Sequence, residues 1–331
     1  MRPVTRLTSV TAVALALLVT ACGGDPKGPP PPPPGGPGVA QAAPTGDNQI
    51  GLVQTALVNS LRIVVLDAGN PQPGVPVNWS GLGTNPSFNP ASGQTDANGI
   101  ATTMWTLPQE AGTATAQAAV PGVAGSPVVF SATARPSAPA SLVLISGDGQ
   151  AGGLGLPADE PLRVEVRDQY GNGVSGVDVD WVVTQGFASV PSTTQSGTNG
   201  QAEASVIYGQ ISLIPITVTA TVSGVGSVTF DLISGHLVSV ENPVGQPPRF
   251  LPAQLNITRG AYVVWKWTAD AVNHNVVPDL IEPTRSGNPT DGPHTYVFQF
   301  TTAANYAYYC EVHGRPGGTE PQDMVGLISV N

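Results

Sequence analysis

The chain has 331 residues, of which only 10% are charged, and it holds 40 Gly and 34 Pro. A formal net charge of −10 excludes the basic footprint that nucleic-acid binding needs. The length predicts two or three domains. The excess of chain breakers, with no sustained helical period, predicts an all-β chain of many short strands.

In chain order, Arg2 and Arg6 open a positive segment, and residues 11–19 form an apolar run too short for a lasting membrane span. Residues 1–21 therefore read as a targeting segment. It ends in Leu18-Val19-Thr20-Ala21-Cys22-Gly23, which resembles the lipobox of bacterial lipoproteins. That resemblance implies lipidation of Cys22, cleavage before it, and a membrane tether rather than a span. The implied address is an exported bacterial lipoprotein, at the outer membrane, the periplasmic face or the cell surface. Residues 22–44 read as the lipidated Cys and a linker, because the unbroken proline run at 29–34 favours extended polyproline II at about 3.1 Å per residue.

An internal repeat follows at an offset of about 100 residues. Gly46-Asp47-Asn48-Gln49 returns as Gly147-Asp148-Gly149-Gln150, and Gly69-Asn70 as Gly171-Asn172. Gly74-Val75-Pro76-Val77-Asn78-Trp79 returns as Gly176-Val177-Asp178-Val179-Asp180-Trp181, and Asn98-Gly99 as Asn199-Gly200. Alternating short runs between Gly, Asn and Pro turns are the pattern of a β-sandwich. The Gly-Asp-x-Gln opening, the Asp-x-x-Gly-Asn turn, the Gly-Val-x-Val-x-Trp run and the Asn-Gly hairpin resemble bacterial immunoglobulin-like repeats of the invasin and intimin type. Two such modules are expected, at 45–136 and 137–235. Trp79 and Trp181 read as core anchors, and Asp67 and Asp168 as turn formers. The modules are expected to be spacers, with an adhesive role as the alternative.

Residues 236–331 change character. Leu255 to Trp267 reads as two alternating strands broken at Arg259-Gly260, and a second pair runs from Thr295 to Phe300 and from Tyr306 to Cys310. With Cys22 lipidated, Cys310 has no disulfide partner, and a free thiol in an oxidising compartment calls for an occupant. Cys310, a His three residues on at His313, a second His at His274 and a Met at Met324 make up the donor set of a His2Cys copper site with a weak axial Met. Val263-x-Trp265, His274-Asn275-Val276-Val277, Tyr308-Tyr309-Cys310-x-x-His313 and Met324-Val325-Gly326 together resemble the cupredoxin family, most closely plastocyanin-like domains.

The resemblance implies a Greek-key cupredoxin sandwich holding one type 1 copper. His274 and His313 would supply Nδ1, Cys310 the thiolate and Met324 the axial sulfur. Asn275 would hydrogen-bond across to the Cys310 loop. Plastocyanin-like domains commonly have a shorter loop than the ten residues between His313 and Met324, which leaves Gln322 open as the axial ligand. His236 and His294 match no ligand position and read as surface or loop histidines. They are too few for a multicopper oxidase or a copper nitrite reductase, so an electron carrier rather than an enzyme is expected. Its partners are a redox protein as donor or acceptor and a membrane reached through the lipid, with the oligomeric state open. The alternative is a surface adhesion or interaction lipoprotein whose last domain is structural or stores copper.

Overall fold

Side chains that alternate in and out have the period of a pleated strand, and the strand Leu61–Asp67 follows it. Leu61, Ile63 and Val65 are fully buried while Arg62 and Val64 stay partly open. The structure, a computed structural model, describes residues 36–331. The targeting segment 1–21, the lipidation candidate Cys22 and the proline run lie outside the described residues. The described chain is all β: no helix occurs in it, so none is long and apolar enough to cross a membrane.

Three buried clusters mark three sandwiches. In the first, Gly38–Gln41, Leu61–Asp67, Ile100–Thr106 and Ser87–Asn89 form one sheet in that order. It faces a sheet ordered Gln49–Leu52, Val128–Arg135, Gly112–Ala119, Pro76–Gly81, Ser92–Gln94. The second repeats this order. Pro139–Ser146, Leu162–Asp168 and Gln201–Ala204 face Ala151–Gly153, Gly226–Glu241, Ile216–Val222, Asp178–Gln185 and Thr193–Gln195. Trp79 against Phe130 and Trp181 against Phe230 are equivalent core pairs, each with ring centroids 6.0 Å apart.

One strand lies inside the expected linker, and another runs through an expected domain boundary. Residues 38–41, placed in the linker 22–44 by composition, form the edge strand that pairs with Leu61–Asp67, and Val39 is buried. Gly-Val-Ala-Gln is too short and too small-featured to announce a strand, and its partner lies far along the chain. The boundary at 235/236 falls inside one strand of 16 residues, Gly226–Glu241. Residues 226–232 pair with Ile216–Val222 of the second sandwich, and residues 236–240 run parallel to 263–267 of the third. A strand can pair on both halves with different partners, and nothing in its own composition records the handover. His236 accordingly sits half-buried in a strand rather than in a loop.

The third sandwich places Tyr262–Trp267 between this shared strand and His294–Gln299. The facing sheet is ordered Gln254–Ile257, Val325–Val330, Asn305–Tyr309, Val277–Pro278. Trp265, Phe250, Phe300 and Tyr308 fill the space between them, each fully buried. At about 1.5–3 kcal/mol for each large apolar side chain removed from water, this core sets the positions of the loops at its rim.

The repeated residues have structural tasks. Gln49 donates to the carbonyls of Gly46 and Asn59 and accepts from the Asn59 N–H; Gln150 does the same with Gly147 and Glu160. Asp47 accepts from the Ser131 N–H and Asp148 from the Asp231 N–H, both at 2.7 Å. Asp168, nearly inaccessible, accepts from the N–H groups of Ser137, Tyr170 and Asn172. Asn172 in turn reaches the first sandwich, donating to the Gln109 carbonyl and accepting from the Ala111 N–H.

Candidate metal centre

Cys310 comes immediately after the strand Asn305–Tyr309, and Met324 immediately before Val325–Val330, its antiparallel neighbour. The Cys310 N–H donates to the Met324 carbonyl at 3.0 Å, and the Met324 N–H donates to the His313 carbonyl at 2.9 Å. The ten residues between His313 and Met324 therefore leave and return at one point, and their number does not carry Met324 away from Cys310. The chain turns at once after Cys310, whose carbonyl accepts from the N–H groups of His313 and Gly314. Gly326 is required one step further on: a Cβ there would lie 2.2 Å from the ring of Tyr308.

His274 arrives from the other sheet, in the loop after Tyr262–Trp267. Its N–H donates to the Thr290 carbonyl, and its own carbonyl accepts from the Thr290 N–H and from the Trp267 indole. Its ring is thus aimed by a backbone held on both sides. The preceding Asn273 has φ 62°, a left-handed conformation that Asn tolerates better than most residues.

These elements bring His274, Cys310 and His313 together, with one ligand atom from each lying within 4.8 Å of the others. The Nδ1 atoms of both histidines stand 3.6 Å from Cys310 Sγ, and the two rings are 4.6 Å apart between centroids. Cys310 and His274 are fully buried and His313 half-buried. Metal bonds of about 2.3 Å to sulfur and about 2.0 Å to nitrogen, at trigonal to tetrahedral angles, set sulfur and nitrogen about 3.5–3.7 Å apart. The observed separations fit a shared ion. Soft thiolate with two imidazoles is a donor set suited to copper and acceptable to zinc.

Burial pushes His274 down to about 4, helped by the nearby His313 and opposed by Asp291. Burial also lowers His313. Both rings are therefore neutral at pH 7, the state a metal ligand must have. Met324 is buried at 2% exposure in the same core cluster as Cys310, whereas Gln322 is exposed. His294 is exposed at the start of its strand, edge-on to Trp267 at 4.9 Å, and His236 lies at the junction with the second sandwich. Neither joins the cluster.

No family model matches the chain, and no curated protein matches it. Among solved structures, the Escherichia coli adhesin FdeC is 17% identical over 89% of this chain and 96% of its own, with a TM-score of 0.40. The D0-D1 domain of intimin is 20% identical over 56% of this chain and 95% of its own, at 0.23. A purple cupredoxin from Nitrosopumilus maritimus is 26% identical over 29% of this chain and 98% of its own, also at 0.23. Below a TM-score of 0.5 these likenesses carry no argument. The chemistry must come from the geometry.

Asn275 is fully buried and spans the loops. It accepts from the Glu311 N–H at 3.1 Å and donates to the Glu311 carboxylate at 2.9 Å and to the Gly287 carbonyl at 3.1 Å. Arg285 closes this brace, pairing with Glu311 and donating to the same Gly287 carbonyl. A further residue, Asn242, meets His274 Nε2 through its Oδ1. Sequence reasoning missed Arg285 and Asn242. A basic residue in a Gly- and Pro-rich loop carries no signal. An Asn before a Pro reads as a turn former, and nothing in its spacing points to a histidine 32 residues away.

Proposed function

We propose that the chain is a membrane-tethered blue-copper electron carrier rather than an enzyme. His274, Cys310 and His313 hold one copper ion, Met324 supplies a weak axial sulfur, and the two upstream sandwiches act as spacers. The observation that carries this reading is the convergence of two imidazole Nδ1 atoms on one buried thiol, each at 3.6 Å. Copper bound there supplies a reversible one-electron step. The chain's own residues do the rest. His274 is sealed in the core, so an electron enters or leaves by the half-buried ring of His313. The Asn275–Glu311–Arg285 brace holds the Cys310 loop in one arrangement through the change of charge. A lipid on Cys22 and the proline spacer belong to the same proposal, as does a redox protein as partner.

The test is the visible spectrum of the copper-loaded full chain. It is expected to be intensely coloured when oxidised, to bleach with a mild reductant and to recover with an oxidant. A protein that binds copper without colour or reversible change would overturn the reading.

A second reading is a surface interaction protein whose last sandwich is structural or stores copper. The two upstream sandwiches make up the larger part of the described chain, and this reading gives them the activity. Under this reading the full chain and its Cys310→Ser variant bind the same surface or protein equally, and no one-electron wave appears.

A further inference from the structure

We propose that Asn242 is a positioning residue for His274: it selects the tautomer that leaves Nδ1 bare towards Cys310, and it is delivered by the strand shared with the second sandwich. The metal is needed for the consequence, which rests on the copper reading, but not for the placement. The Oδ1 of Asn242 accepts from the Val272 N–H at 3.1 Å. A backbone N–H can only donate, so this contact assigns the oxygen side of the amide and rules out the flipped arrangement. The same oxygen meets His274 Nε2. Facing an acceptor, Nε2 must carry the ring's proton, and Nδ1 is then an unprotonated lone pair 3.6 Å from Cys310 Sγ.

The alternative tautomer has a local attraction that Asn242 must outweigh. With the proton on Nδ1, the ring would donate towards Cys310 Sγ, and the nitrogen needed for a metal would be occupied. Among the described residues, the ring's other hydrogen-bond contact is Cys310 Sγ at Nδ1, which does not select against that state. The bonds from Thr290 and Trp267 hold only the His274 backbone. Asn275, beside His274, braces Glu311 and Gly287 instead.

Asn242 is itself firmly placed. It follows the last residue of Gly226–Glu241, in which Phe230 and Leu232 are buried in the second sandwich and Val238 and Val240 in the third. The Val240 carbonyl accepts from both the N–H and the hydroxyl of Thr268, at 3.0 and 3.2 Å. Across the same junction Lys266 pairs with Asp159, and the Tyr262 N–H donates to the Ser212 carbonyl. The spacer next to the site is therefore part of the frame that orients one of its rings.

The chain has 4 His, so a histidine-selective 15N-labelled full chain gives a readable long-range 1H–15N spectrum. In the metal-free protein the His274 ring is expected as the Nε2–H tautomer. Asn242→Leu is expected to shift it to Nδ1–H and to weaken zinc binding, read by competition with a chromophoric chelator, by about 10–100-fold. Asn242→Asp keeps an acceptor oxygen and is expected to restore both tautomer and affinity. Wild-type His274 as Nδ1–H, or an unchanged tautomer in Asn242→Leu, overturns the proposal. Because the tautomer is read without metal, a colourless copper form would defeat the electron-carrier reading and leave this result standing.

Discussion

The repeated sandwiches and the last one use their polar side chains differently. In the repeats, Asp47, Gln49, Asp148, Gln150 and Asp168 turn to the backbone and satisfy its N–H and C=O groups. In the third sandwich, His274, Cys310 and His313 point their functional atoms at one another. A buried polar group costs stability unless it is paired. Pairing with backbone is the solution for a scaffold, whereas three donors converging on a common point make sense when something else completes them. Residues of the first kind hold the chain, and those of the second are arranged as donors around a ligand would be.

The strongest way to break that comparison is Cys310→Ser. It is expected to abolish the visible band and tight copper binding while moving the stability of the metal-free protein by only about 1 kcal/mol, within the usual range of one hydrogen bond. A large loss of metal-free stability would mean that the cluster is core packing. Gln150→Ala makes the opposite case. It removes the partner of the Glu160 N–H and of two carbonyls that water can reach, with an expected cost of about 0.5–1.5 kcal/mol in chemical denaturation and an unchanged copper spectrum.

Met324→Leu, a near volume-conserving change, is expected to cost less than about 1.5 kcal/mol. It should keep the colour and shift the reduction potential in voltammetry, while Gln322→Leu shifts neither. A potential that follows Gln322 would reassign the axial ligand. A separate test is a pH slope. His274 is held at about 4 in the folded state against an ordinary value near 6.5, so the unfolded chain binds more protons between those values. Metal-free stability is therefore expected to be full above about pH 6.5 and to fall as pH drops towards 4. Thermal melts across that window should show the slope, and His274→Asn should flatten it.

Much of the architecture was legible in the residues. Period-2 runs between Gly, Asn and Pro turns announced strands, and the offset of the repeated motifs announced two copies of one sandwich. The three clustered donors were legible as candidates too, because Cys and His are scarce residues in this chain and the spacing is local at Cys310 and His313. Where pairing is long-range, the local pattern was silent. Gly38–Gln41 had too little bulk to announce its edge position, and Gly226–Glu241 carried no mark of changing partners midway.

The sequence by itself determined which side chains could serve as donors and which motifs repeat, since composition and short spacing are properties of the chain. Only the tertiary structure decided that the thiol and the two rings share one buried point, that Met324 returns beside Cys310 across a ten-residue loop, and that Asn242 faces His274. Those are distances between separate strands. They are set by how two sheets pack over the Trp265 core, and no local run of residues encodes them.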